Sequence, residues 1–224
     1  MTGRSDEATR LLESWQDNAA AWTAAVRSGA IESRRLATDA AIFDAVLERR
    51  PSKVLDLGCG EGWLVRALAE RNVAAVGIDG TAPLVEAAAQ AGGSFVPLSY
   101  AELIAAPGRC GEGFDLVVAN FALLEEDLLP LLAALRRIVS ADGSLLVQTL
   151  HPLAAGPPYE DGWRVEDFRC FGEGAWTPMP WYFRTLGSWL GVLRDGGFAL
   201  QALREPVHPQ ERRPLSLLME ARAM

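Results

Sequence analysis

Lys53-Val-Leu-Asp-Leu-Gly-Cys-Gly-Glu-Gly62 carries a short apolar run straight into alternating glycines, and Gly62 to Arg71 continues at helical spacing. A strand that turns on glycine into a helix is the opening of a βαβ unit. Outward from it the rhythm repeats. Ala74–Asp79 is predicted as a second strand and Ala82–Ala91 as a second helix, followed by a weaker strand over Ser94–Leu98 and a clear fourth over Phe114–Ala119. Leu123–Val139 is predicted as a helix broken or kinked at Pro130, because proline lacks the amide donor that a helix interior needs. Ala141-Asp-Gly143 introduces a fifth strand over Ser144–Leu150. Strands alternating with helices of this length require right-handed crossovers and a parallel sheet. The fold class is α/β, doubly wound.

The flanks differ from this core. Residues 1–50 carry alanine-rich helical spacing with no proline before Pro51. Of seven Trp, three Tyr and eight Phe, eight aromatic residues fall within 151–187, where no βα repeat is evident. Periodicity resumes with a helix over Leu186–Leu193, a strand over Phe198–Leu203 and a last strand near Leu215–Ala221. The expected organisation is one domain: an N-terminal helical cap (1–50), a cofactor-binding core (51–150), an aromatic lid insertion (151–187), and a final helix with two strands (188–224).

In such a sheet, ligands sit beyond the carboxyl ends of the strands. Gly58, Gly60 and Gly62 there let a ligand approach the main chain. Asp79 closes the second strand 21 residues after Gly58, where a carboxylate accepts hydrogen bonds from both ribose hydroxyls. The dinucleotide fingerprint wants a small third residue, and that position holds Trp63. Asp56 opens the motif instead, and an acid there repels a pyrophosphate but engages an ammonium. No GxxxxGK[ST] occurs, so a P-loop is excluded. An adenosine-type cofactor with an amino-acid tail fits best.

With these residues in place, the chain resembles the class I S-adenosylmethionine-dependent methyltransferases. Val54–Gly62 is similar to the family's first motif and Val76-Gly-Ile-Asp79 to its second. Phe114–Asn120 is similar to the fourth-strand motif, and Leu135–Val147 to the helix and strand after it. The resemblance implies a seven-stranded, mostly parallel sheet with its last strand antiparallel, and S-adenosyl-L-methionine as cofactor, leaving as S-adenosyl-L-homocysteine. It places Asp56, Gly58 and Gly60 at the methionine part, with Gly62 completing the turn, and Asp79 at the ribose. Gly80 and Thr81 border the adenine, and Asn120 and Phe121 sit at the cofactor–acceptor junction. The family's acid after the third strand is missing; Tyr100 or Ser99 occupies that place, and Ala101 beside them is counted with the cofactor site. In related small-molecule enzymes an N-terminal arginine pairs with the cofactor's carboxylate, and Arg35, with Arg34 beside it, is the candidate here.

Asn120-Phe-Ala-Leu123 lacks the prolines of nucleic-acid amino-methyltransferases, and none of Cys59, Cys110 and Cys170 follows a proline as cytosine-5 chemistry requires. The balance of 21 Lys and Arg against 29 Asp and Glu, a net charge of −8, agrees, since phosphate binding wants a positive field. His151, after the fifth strand, is the candidate base, its ordinary pKa suiting neutral pH. Tyr159, Trp163, Trp181 and Tyr182 are the candidate acceptor-binding aromatics, and Arg184 a candidate anion anchor. Three cysteines without CxxC spacing indicate neither a disulfide framework nor a metal site. With no signal peptide and no long apolar run, the chain is expected to be cytoplasmic and membrane-free, a monomer or homodimer. The expected function is methyl transfer to a small molecule at oxygen or nitrogen. The alternatives are a non-catalytic cofactor-binding relative, acting as partner or regulatory subunit, and a nicotinamide-dependent oxidoreductase.

Overall fold

The computed structural model describes residues 6–172 and 174–224. A long helix, α1 (Asp6–Ser28), leads through a π-helical turn (Arg34–Thr38) into α2 (Asp39–Glu48). The repeating core follows: β1 (Lys53–Leu57), α3 (Trp63–Ala69), β2 (Ala74–Asp79), α4 (Ala82–Gln90), β3 (Phe95–Pro97), α5 (Tyr100–Ala105), β4 (Phe114–Asn120), α6 (Leu129–Ile138) and β5 (Val139–Leu150). Two short strands, β6 (Gly162–Glu166) and β7 (Met179–Phe183), precede α7 (Leu186–Asp195), β8 (Phe198–Arg204) and β9 (Ser216–Ala223).

Seven strands form one sheet in the order β3-β2-β1-β4-β5-β9-β8. β9 runs antiparallel to both β5 and β8, and the other neighbouring pairs are parallel. The strand period of two sorts the core. Leu55 and Leu57 point to the face covered by α5, α6 and α7, among them Leu103, Leu132 and Trp189. Val54 packs on the opposite face with Ile42 and Val46 of α2 and Leu64 and Leu68 of α3. Asp56 shares the alternation of Val54, which turns its carboxylate toward α2, α3 and the π-helical turn.

Three local features differ from the sequence-based expectation. Pro130 sits in the first turn of α6, where its missing N–H is unneeded, so it starts the helix rather than kinking it. The β5 ladder on β4 jumps from Val139 to Ser144, and the Ala141–Gly143 turn lies in that bulge. Within the aromatic segment, β6 and β7 pair as an antiparallel two-stranded sheet with Trp163 opposite Tyr182. Among the described residues no helix is long and apolar enough to cross a membrane.

Candidate active site

Strand order reverses between β1 and β4, and the carboxyl ends of those strands part to open a cleft. It encloses about 1050 Å³ of non-atom space, open solvent at its mouth included. The glycine turn forms its floor. Gly58 and Gly60 hold φ of +70° and +56°, a region that costs side-chain-bearing residues energy. A Cβ on Gly58 would stand 2.6 Å from Cβ of Ala122 and 2.8 Å from Oη of Tyr100, so only glycine keeps this floor clear.

Two carboxylates of the cleft wall face the glycine turn, Asp79 half-buried and Asp56 buried. Asp79 at the end of β2 accepts from the Gly60 N–H at 2.9 Å and the Thr81 N–H at 2.8 Å, one bond to each oxygen. These bonds stitch the β1 and β2 turns together and leave each oxygen a lone pair for a further donor. Burial pushes the Asp79 carboxyl above its ordinary range, opposed by those N–H donors. Asp56, 3% exposed, rises to about 7, chiefly through burial, then through the charge of Asp79, against the lowering effect of Arg34.

Arg34 is the cation of this wall. Its Nε donates to Asp39 at 2.9 Å. The guanidinium lies over the Trp63 ring, 5.1 Å from the centroid. Its Nη2 is buried with no hydrogen-bond partner. An unsatisfied buried guanidinium nitrogen costs free energy until an acceptor reaches it. The Trp63 that broke the dinucleotide fingerprint thus carries the arginine, while Gly62 takes over the close packing: a Cβ there would lie 2.4 Å from Phe95.

Across the cleft, Tyr100 donates through Oη to the Ala122 carbonyl at 3.1 Å. Gln148, buried on β5 opposite Asn120, donates through Nε2 to Asn120 Oδ1 at 2.7 Å and to the Thr38 carbonyl at 2.9 Å. That fixes the Asn120 amide with its carbonyl committed and its two donors remaining. Phe121 follows with φ of +53° in the left-handed region, held by its N–H donating to the Gln148 carbonyl at 2.7 Å. Strain of this kind persists where the surroundings overdetermine a functional turn.

Asp56, Gly58, Gly60, Asp79, Gly80, Thr81, Tyr100, Asn120 and Phe121 all line the cleft. Gly62 instead caps α3, Ala101 is exposed on α5, and Arg35 is exposed one residue from the arginine that does reach the cleft. His151 is 5% exposed and is not in the lining. Its Nδ1 accepts from the Leu153 N–H at 3.2 Å and its Nε2 lies 2.8 Å from Glu205. With both ring nitrogens engaged it is a strand-end brace, and no lone pair faces the cleft.

The aromatic candidates take other positions as well. Tyr159 accepts the Leu186 N–H through Oη at 3.0 Å, and Trp163 donates to Glu126 at 3.3 Å. Trp181 packs in a cluster with Leu11, Phe168 and Met179. Arg184 is buried, and its Nη2 donates to the carbonyls of Glu125 and Glu126, while the Tyr182 N–H donates to Leu124 at 2.8 Å. None of these five lines the cleft. The rest of the lining comes instead from Leu11, Leu12, Trp15 and Trp22 of α1, and from Phe121, Leu124 and Glu125 of the loop after β4. The only sequence signal for the α1 contribution is its pair of tryptophans at a spacing of seven, which puts both rings on one face of the helix.

Residues 54–143 match the family described as a methyltransferase domain. An uncharacterized methyltransferase of Mycobacterium tuberculosis is 31% identical over 153 residues, covering 63% of this chain and 75% of that protein. The malonyl-[acyl-carrier protein] O-methyltransferase of Pseudescherichia vulneris is 32% identical over 127 residues, 54% of this chain and 48% of its own length. Among solved structures, the 1,6-didemethyltoxoflavin-N1-methyltransferase of Burkholderia thailandensis superposes with a TM-score of 0.64 at 21% identity, covering 100% of this chain and 92% of that one. It shows the same fold.

Proposed function

Because the chain belongs to the class I S-adenosylmethionine-dependent methyltransferases, we propose that this cleft transfers the methyl group of S-adenosylmethionine to a small, largely apolar acceptor. The observation that carries the reading is the pairing of the orphaned Arg34 Nη2 with the buried Asp56 carboxylate across a glycine floor. An amino-acid tail bears one charge of each sign, and this wall offers the complement of each. The residues therefore fit the cofactor. Asp56 takes its ammonium and Arg34 its carboxylate, Asp79 receives the ribose hydroxyls, and Gly80, Thr81 and Tyr100 border the base.

When bound, the cofactor supplies an already activated methyl group on a sulfonium. The protein's part is then to hold the acceptor atom aligned and to keep water out. Asn120 and Phe121 sit where the cofactor and acceptor halves meet, and Trp15 and Trp22 close the cleft from above. The acid-lined wall and the net charge of −8 support a small molecule rather than a nucleic acid as acceptor.

Titration calorimetry with S-adenosylhomocysteine, with NAD as control, tests the reading. The expected result is binding of the first alone. Arg34→Met should weaken it at least about tenfold, as loss of a charge-assisted bond does, and Arg35→Met by less than about twofold. Binding of NAD alone, or equal losses in the two variants, would overturn the assignment.

A further inference from the structure

Asn120 ends β4 with an amide whose direction is dictated from outside the cleft. The Thr38 carbonyl can only accept, so Gln148 turns its Nε2 toward it, at 2.9 Å. The same Nε2 reaches Asn120 at 2.7 Å, so the atom that meets it is Oδ1. On its other side Gln148 accepts through Oε1 from the Ser216 hydroxyl at 3.2 Å. Thr38, Gln148 and Ser216 are buried, and reversing either amide would set like against like at a cost in unpaired polar atoms. Asn120 therefore turns its Nδ2 to the cleft it lines. Neither of these N–H groups meets an acceptor among the described residues. The place matters as well. Asp56 pairs with Val118, and Asn120 follows two residues later on the same face of the sheet, about 7 Å further out. That is beyond the carboxylate assigned to the cofactor's ammonium, in a cleft otherwise walled by Leu11, Trp15, Trp22, Phe121 and Leu124.

Resting on the methyltransferase reading above, we infer that Asn120 recognises the methyl acceptor as a donor, with Gln148 as its positioning residue. The reacting atom is then an oxygen that arrives ionised, a phenolate or carboxylate on a flat apolar body. Lone pairs decide between oxygen and nitrogen. A neutral amine nitrogen has a single lone pair, which must attack the methyl carbon and so cannot also accept from Asn120. An oxyanion attacks with one lone pair and accepts with another, and such charge-assisted bonds are the stronger kind. Hydrogen bonding to the charged form also keeps the oxygen ionised. No base is then needed, and neither histidine lines the cleft. As an oxygen lone pair forms the O–C bond, the S–C bond breaks and its electron pair stays on sulfur. The charges on oxygen and sulfur cancel, and no proton has to be placed. Of the acids around an entering anion, Glu61 is neutralised by Arg27 at 2.9 Å and Arg66 at 2.6 Å, and Asp56 by the cofactor's ammonium. Indole rings at positions 15 and 22 complement a planar ring in size and stacking.

The test is a binding measurement at about pH 8 on protein saturated with sinefungin, a non-transferring cofactor analogue whose ammonium stands for the sulfonium. Three probes share one ring and differ in one group: pentafluorophenolate, pentafluorobenzoate and the neutral pentafluoroaniline. At least one anion is expected to bind at least about tenfold tighter than the amine, and which one does so separates phenolate from carboxylate. Asn120→Leu should shrink that ratio about tenfold. Gln148→Leu leaves Asn120 in place with its amide unlocked and should shrink the ratio too, which a merely structural role would not do. Equal or tighter binding of the amine, binding of none of the three, or an unchanged ratio in Asn120→Leu would overturn the inference. The last outcome, with sinefungin affinity lost, would assign the donors to the cofactor. An unchanged ratio in Gln148→Leu would overturn its positioning role, and Asn120→Leu decides the contact even if that variant fails to fold. Failure of sinefungin itself to bind removes the underlying reading and is distinguished from these at the first titration.

Discussion

Asp56 shows how one residue trades stability for binding. Its carboxyl is pushed to about 7, first by burial and then by Asp79, while the unfolded chain holds it near its ordinary value of about 4. A pKa raised on folding means that the ligand-free protein gains stability at low pH, fully present below about 4. That gain is lost as pH rises through about 7. Cofactor binding runs the other way, because the ammonium needs the ionised form. We expect S-adenosylhomocysteine affinity to fall up to about tenfold per pH unit below about 7, measured by calorimetry across that range. Asp56→Asn should flatten this profile and weaken binding. The same variant should raise the melting temperature of the ligand-free protein at about pH 8 by several degrees, since a few kcal/mol of buried-charge cost disappears. A melting temperature lowered by Asp56→Asn would show that the carboxylate is not the destabilised group described here.

Among elements, the loop after β4 depends most on its neighbours. Its backbone carbonyls at 124–126 accept donors from β7 and the residue after it. Arg184 lies over the Tyr182 and Trp189 rings, at 4.8 and 5.2 Å from their centroids, so it is packed as well as bonded. Replacing it with Met keeps much of that packing and removes the grip. The expected outcome for Arg184→Met is unchanged S-adenosylhomocysteine affinity with a melting temperature lower by several degrees, as for loss of charged hydrogen bonds. An unchanged melting temperature would show that the grip contributes nothing to the fold. The sequence placed Arg184 near the acceptor by its position between the fifth and sixth strands. Its role was not legible there, because the partners are main-chain atoms nearly 60 residues away.

Over the whole molecule, α1 and the aromatic insertion form one cap. Asn18 donates through Nδ2 to the Thr177 carbonyl at 2.8 Å and accepts the Thr177 N–H through Oδ1 at 2.8 Å, reproducing a strand-like pair with a side chain. Trp22 meets Trp15 edge-on at 5.2 Å and Phe171 at 5.9 Å, while Phe168 stacks on Trp176 at 4.7 Å. The cap is tied to the core through Arg27 and the buried Glu61. Cap and cofactor therefore share a wall, and closing one orders the other. Hydrogen exchange is expected to slow together over 6–28 and 162–183 when S-adenosylhomocysteine binds. Asn18→Ala should separate the two responses while the sheet's protection stays as it was. Slowing confined to the glycine turn would show that the cap is not coupled to the site.

The local pattern of this chain determined the strand–helix alternation, the glycine turn and the pair Asp56 and Asp79, because each depends on neighbours within one βαβ unit and on side-chain periods of two and 3.6. It also separated this turn from the dinucleotide type, through Trp63. Only the tertiary structure decided which of two adjacent arginines enters the cleft, since Arg34 and Arg35 project in different directions from a π-helical turn whose docking the local pattern does not set. The same holds for His151, consumed by Glu205 and Leu153, and for the aromatic insertion, which packs on α1 and holds the loop after β4. Those outcomes rest on contacts between segments far apart in the chain, where burial and backbone hydrogen bonding outweigh local preference.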